Sequence, residues 1–204
     1  MDSYIFNITS KDREHLFRIR KALKSDYPIS EKNNSQGKVY YQIQITNIKV
    51  CKDLMKLGIL PRKTHNLGRL EIPNKYFPDF VRGFFDGDGT VYIYKVNGVW
   101  QIKAEFVSSS SSFIEGFNQQ LCAYLDIPQK SVHKFKPKDR MTQYNICFYV
   151  DDCRKLEKLI YKNSSCLCLE RKYKIFKKWN LVKRRHYMKI NYPSKVGLDY
   201  KYAT

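Results

Sequence analysis

The residues best suited to chemistry lie in one run, Phe80-Val-Arg-Gly-Phe-Phe-Asp-Gly-Asp-Gly89. Read as a helix, it puts Gly83 and Gly87, four residues apart, on one face, where a second helix can approach to backbone contact. Asp88 then stands at the helix C-terminus, where the macrodipole disfavours a carboxylate. A divalent cation would supply the missing compensation. Asp86 reads as structural, an acceptor at the end of the helix. Asp-Gly-Asp-Gly is also a common turn before a strand, so the four residues alone decide nothing. A calcium loop begins Asp-x-Asp too, but Thr90, Val91 and Asn97 stand where it needs an acidic or amide ligand, a glycine and a glutamate. That chemistry is excluded.

The elements that must position this run form a repeat. In the first half, residues 4–9 alternate like a strand. Residues 10–23 carry a helical stripe of Leu16, Ile19, Ala22 and Leu23, with Ser10 as expected N-cap and Asp12 and Glu14 in the first turn. Residues 33–37 read as a hairpin turn, residues 38–46 as a strand, and residues 49–57 as a short helix ending near Gly58. The same order returns about 98 to 109 positions later: a strand at 101–107, a helix at 110–125, a strand at 144–149 and a helix at 152–159. Leu60-Pro-Arg-Lys-Thr64 matches Leu169-Glu-Arg-Lys-Tyr173. Two such halves predict an α+β fold with a pseudo-twofold axis. The expected divisions are 1–72, 73–180 and a basic tail at 181–204.

Composition narrows the partner. Among 204 residues, 38 Lys+Arg face 19 Asp+Glu, a formal charge of +19. Self-repulsion of that size opposes folding, so it points to a polyanion. Basic residues spread along the whole chain favour nucleic acid over a membrane surface. None of the six cysteines has C-x-x-C spacing, and buried free thiols in a reducing compartment are expected of Cys51, Cys122, Cys147, Cys153, Cys166 and Cys168. No apolar stretch reaches the length of a membrane span, and Met1-Asp-Ser-Tyr does not open a signal peptide. The expected setting is cytoplasmic (nucleoid-associated) or organellar, not secreted.

Val81-Arg-Gly-Phe-Phe-Asp-Gly-Asp-Gly89, with the preceding Phe77-Pro-Asp-Phe80, the following strand signals and the repeat, resembles the signature of the LAGLIDADG homing endonucleases. The resemblance covers most of the chain. It implies two pseudo-symmetric halves whose antiparallel β-sheets bind double-stranded DNA, and phosphodiester hydrolysis with Mg²⁺ or another divalent cation. It implies Asp88, with Gly87, as the metal position, and Gly83 and Gly87 as the helix interface. The family keeps a basic residue near each scissile phosphate; Lys63 and Lys172 are the candidates here, with helix capping or phosphate anchoring open for both. An intron-encoded maturase or a regulator, binding nucleic acid without cutting it, is the alternative implied by the same fold.

Each predicted strand has an apolar and a polar face. Lys38, Tyr40, Gln42 and Gln44 share the polar face in the first half, and Gln101, Lys103, Gln143 and Asn145 in the second; Tyr92 and Tyr94 belong to the strand after the signature. Such side chains suit base edges in a major groove, although an ordinary solvated face looks the same. Lys130, Lys134, Lys136, Lys138 and Arg140, with Arg62 and Arg171, are candidates for phosphate contacts. Residues 170–189 hold nine Lys/Arg against one acid. The sequence departs from the family in one respect: the first half has no signature helix. A homodimer through Gly83/Gly87, a pseudo-dimeric monomer whose start lies further upstream, or loss of cleavage would each account for that.

Overall fold

The computed structural model describes residues 4–59, 67–138, 141–162 and 167–191. The first half is β1(Ile5–Ser10), α1(Arg13–Ala22), β2(Ile29–Asn33), β3(Val39–Thr46) and α2(Ile48–Lys56). Its sheet is antiparallel in the order β1-β3-β2. The second half is α3(Phe77–Asp88), β4(Thr90–Val96), β5(Val99–Ser108), α4(Ser111–Leu125), β6(His133–Phe135), β7(Gln143–Phe148), α5(Val150–Tyr161) and α6(Glu170–Asn191). Its sheet runs β4-β5-β7-β6, again antiparallel. The second half therefore repeats the described elements of the first, with α3 and β4 added in front and α6 behind.

Local chemistry explains most boundaries. Asn97 and Gly98, both at positive φ (48° and 78°), make the tight turn between β4 and β5. Ser110 caps α4, which starts one residue after it, by accepting from Phe113 N–H. The cap of α1 differs from expectation. The helix starts after Asp12, and Ser10 Oγ instead accepts from Asp12 N–H at 3.0 Å, closing the turn before the helix. The second short helix starts at Ile48 because the Asn47 side chain accepts from Val50 N–H. Strand β2, implied only by its hairpin turn, and the three-residue β6 were not assigned from sequence. Helix α6 is continuous through residue 191, so the boundary expected after residue 180 falls within it.

The main core packs α3, α4, α5 and α6 on one face of the second sheet, through Phe77, Val81, Phe85, Ile102, Phe106, Phe117, Phe148 and Phe176 among others. The first half has a separate, smaller cluster around Leu16, Ile43 and Ile45. The chain between the halves lies along α4: Ser110 Oγ and Ser112 Oγ donate to Leu67 O, and Gln120 to Ile72 O. Gly116 makes room for it, since a Cβ there would meet Arg69 Cγ at 2.7 Å. Cys122, Cys147, Cys153 and Cys168 are buried free thiols and Cys51 is half-buried; Cys166 lies outside the described residues. Among the described residues no helix is long and apolar enough to cross a membrane.

Candidate active site and nucleic-acid interface

The signature run forms the second half of α3, and the end of this helix sorts its two acids by side. Asp86 points inward and is buried; its Oδ2 accepts from Leu169 N–H at 2.9 Å, while Oδ1 has no partner among the described residues. Burial pushes its carboxyl pKa up, against the pull of the Leu169 amide and of His15, Lys172 and Arg82. Asp88 is exposed and is the last residue of the helix. Two residues later Thr90 opens β4, opposite Glu105. The freely accessible carboxylate thus stands where the polar face of the sheet begins.

Lys172, on the first turn of α6, is 3% exposed. Its ammonium donates to the carbonyls of Phe85, Asp86 (3.0 Å) and Gly89, and sits 5.2 Å from the Phe85 ring centroid. These carbonyls belong to the α3 C-terminal turn, whose last groups have no partner within the helix. Lys172 therefore caps the signature helix and offsets its C-terminal dipole. Burial, helped by the Arg171 charge, brings its pKa down to about 8. Gly89 packs so closely that a Cβ there would lie 2.5 Å from the Phe85 ring and 2.6 Å from its carbonyl oxygen. Arg82 is also structural: buried, it pairs with Asp79 and donates to Ile160 O at 3.3 Å, tying α3 to α5.

The outer face of α3 is open. Gly83 and Gly87 are exposed, and among the described residues a Cβ at either would meet nothing within 4 Å. The halves meet instead through polar contacts at the start of α1. Asp12 pairs with Arg171 at 3.3 Å, Arg18 with Glu170 at 3.9 Å, and the half-buried His15 feels the charge of Asp86. Burial lowers the His15 pKa against that attraction, and among the described residues its Nδ1 has no hydrogen-bond partner.

Strand register settles the sheet faces, because residues directly opposite share a side. Tyr40, Gln42 and Gln44 fall on one face with Asn7, Thr9, Ser30 and Lys32. Lys38 lies in the hairpin just before β3. In the second half Tyr92, Tyr94, Gln101, Lys103, Gln143 and Asn145 share a face with Thr90, Glu105, Cys147 and His133. Sequence reading missed Asn7, Thr9, Ser30, Lys32 and His133 because cross-strand partners are set by register, which no single strand displays. Lys134 pairs opposite Tyr144, on the helix side of the sheet, so it does not join the polar face; Lys136 follows β6. Lys130 is committed to Asp152 at 2.8 Å. Lys138 follows β6 beside the undescribed residues 139–140. Arg62, Lys63 and Arg140 lie outside the described residues.

Comparison with known proteins agrees with this geometry. Residues 79–167 match the profile of the LAGLIDADG-like domain. The fold matches the crystal structure of the LAGLIDADG homing endonuclease I-GzeII in complex with DNA target. The TM-score is 0.58 at 12% identity, over 93% of this chain and 83% of that one. It also matches the LAGLIDADG meganuclease I-AabMI bound to uncleaved DNA, with a TM-score of 0.51 at 16% identity, over 91% and 83% of the two chains. No curated protein sequence matches. The chain thus carries a LAGLIDADG-like domain over residues 79–167 and has the fold of the LAGLIDADG homing endonucleases.

Proposed function

We propose that the chain is a site-specific endonuclease that lays both sheets along duplex DNA and hydrolyses phosphodiester bonds with Mg²⁺ held at Asp88. The observation that carries this reading is the exposed Asp88 at the capped end of α3, next to the strand that opens the polar sheet face. Net charge supports it: phosphate contacts by Lys and Arg would supply affinity and a steep fall of binding with salt. The donors fit Mg²⁺. Asp88 offers a carboxylate, and Gly87 a carbonyl of the last turn that Lys172 does not take. Among the described residues there is no cluster of three metal-binding side chains, so water and a DNA phosphate would complete the shell, as Mg²⁺ prefers. When bound, the ion would supply Lewis-acid polarisation of the phosphodiester and ease deprotonation of water.

The protein's own part is positioning. Lys172 fixes the turn that carries Asp88, and Asp86 locks that turn to the start of α6 through Leu169. Lys172 thus supports Asp88 rather than reaching a phosphate itself. Lys63 is its counterpart in the first half by sequence alone. Arg171, 61% exposed, remains a candidate for phosphate contact. The open Gly83/Gly87 face supports a homodimer in which two copies of α3 pack together and bring two Asp88 sites to one duplex.

The test is a cleavage assay on duplex DNA spanning the site into which the protein's own gene would insert, with Mg²⁺ or EDTA. Metal-dependent double-strand cuts that vanish in Asp88→Asn, with binding retained, are expected. Nicking alone would mean one working site per complex. Tight binding without cutting would sink the enzyme reading in favour of a non-cleaving maturase or regulator.

A further inference from the structure

At the end of α3 away from Asp88, a cavity of about 250 Å³ opens between α3, α4 and α5. Lys75, just before α3, lines it together with Arg82 on that helix and Lys158 and Lys162 at the end of α5. Asp79 is the one acid among its lining residues, and its carboxylate is paired with Arg82. Arg82 also donates to Ile160 O, which fixes the guanidinium. Among the described residues none of Lys75, Lys158 and Lys162 pairs with an acid. Three unbalanced positive charges therefore surround one hollow.

The fold accounts for part of this arrangement. Cations at the end of α5 suit its dipole. Yet Arg154, Lys158 and Lys162 stand four residues apart on one face of α5, a spacing at which like charges destabilise a helix. Arg154 is offset by Asp151 at 4.0 Å; the two lysines are not offset. Neighbouring lysines have structural work: Lys130 pairs with Asp152 at 2.8 Å, and Lys155 donates to the carbonyls of Leu125 and Asp126. Lys75 comes from another part of the chain, and the α5 dipole gives no reason for it to join Lys158 and Lys162. The start of α3, which no side chain caps, adds the positive end of its own dipole.

The cavity lies apart from the polar sheet faces. Among the described residues no strand lines it, and the helices that do cover the other side of the second sheet. About 15 Å of helix separates Pro78, at the cavity, from Asp88. A duplex lying along the sheets would meet Asp88 and not Lys158.

We propose that this cavity binds a phosphate group that is not part of the DNA on the sheets. A phosphomonoester brings nearly two negative charges and three strong acceptor oxygens, and it suits three ammonium groups better than a carboxylate does. Lys75, Lys158 and Lys162 donate to those oxygens, and the Arg82 charge offsets Asp79, which would otherwise repel the anion. Inorganic phosphate and the phosphate of a nucleotide share this chemistry. Tyr124, 43% exposed, also lines the cavity and offers a ring to a nucleotide base. The site is separate from cleavage and stands or falls without it.

The test is calorimetric titration of the full chain with inorganic phosphate and with adenosine monophosphate, in EDTA at constant ionic strength. The wild type is compared with Lys158→Gln/Lys162→Gln, with Lys75→Gln, and with Lys21→Gln/Lys49→Gln. The last removes the same charge as the first from exposed positions on α1 and α2. All four carry surface changes only, and an unchanged thermal melt confirms their fold. Saturable phosphate binding is expected in the wild type and the α1/α2 control, with affinity about tenfold or more lower in the cavity variants. Tighter binding of adenosine monophosphate, lost in the same variants, identifies a nucleotide as the source; equal affinity identifies free phosphate. No saturable binding, or an equal loss in control and cavity pairs, overturns the site. So does a loss of duplex DNA binding in the cavity pair that exceeds the control's, because the lysines would then serve the DNA.

Discussion

The two halves share one chain path, strand, helix, hairpin and helix, yet they are packed very differently. In the second half α3 sends Phe77, Val81 and Phe85 into a core continuous with Ala104, Phe148 and Cys153. At the matching places in the first half, Phe6, Ile45 and Val50 line an open groove of about 560 Å³, which Leu23 and Tyr27 also border. Leu23 is 48% and Val50 38% exposed. Every residue buried as a polar or charged group among those described, namely Arg82, Asp86, Ser110, Asn118 and Lys172, also lies in the second half. The signature helix is therefore a column of the core as well as the carrier of the site. The first half, as described from residue 4, shows the same sheet without that packing around it, and none of its polar or charged residues is buried.

The largest expected effect tests this contrast in the cores. Phe85 is fully buried and packs on Phe106 and Phe176 at ring-centroid distances of 5.3 and 5.9 Å. Phe85→Ala should cost about 3–5 kcal/mol, the range for truncating a buried aromatic. Phe6→Ala removes a half-exposed ring beside the groove and should cost about 1 kcal/mol. Urea unfolding of both variants measures the difference, and equal losses would break the comparison. Native-state hydrogen exchange sharpens it: amides of β1 and β3 should exchange through smaller openings than those of β5 and β7.

A second, smaller effect concerns the buried charge. The Lys172 ammonium loses its proton near pH 8, against an ordinary value of 10.5. Between these values the unfolded chain binds more protons than the folded one, so this group's contribution makes stability rise with pH. Relative to Lys172→Met, which has nothing to titrate, the wild type should gain on the order of 3 kcal/mol from pH 7.5 to 10.5. Below pH 8 the charged form is the one that donates to the α3 carbonyls. A difference between the two proteins that stays flat across this range would show that Lys172 is not desolvated as its position indicates.

Much of this was legible in the sequence, for identifiable reasons. Gly83 and Gly87 at helical spacing, the Asn-rich hairpin and the apolar stripes are local signals, and the helices, most of the strands and both sheet faces followed from them. What failed to show was long-range. The sequence marked Lys172 as basic and left phosphate contact and capping open; its three carbonyl acceptors lie 83 to 87 residues away. Lys134 looked like its neighbours until the β6–β7 register turned it to the helix side. Glu105 appeared only as one polar residue in an alternating strand, because its contacts with Cys147 and Lys103 belong to the folded sheet. Ser10 has the right type for a cap, but the chain starts its helix two residues later, after Asp12.

The smallest expected effect compares the two halves at helix starts of similar chemistry. Ser110 and Asn47 are N-caps that each accept one backbone N–H, from Phe113 at 3.3 Å and from Val50 at 3.0 Å. Loss of such a cap costs about 0.5–2 kcal/mol. The two should nonetheless differ. Ser110 is buried and also donates to Leu67 O, so Ser110→Ala removes a second bond as well and leaves that carbonyl only the longer one from Ser112, at 3.3 Å. Asn47 is exposed, and water can replace its side chain. Ser110→Ala should therefore fall near 2 kcal/mol and Asn47→Ala near 0.5 kcal/mol, as approximate ends of that range. Chemical denaturation of the two variants at one pH decides it. If Asn47→Ala proved the costlier, the first half would be more tightly coupled to the rest of the fold than its open groove indicates.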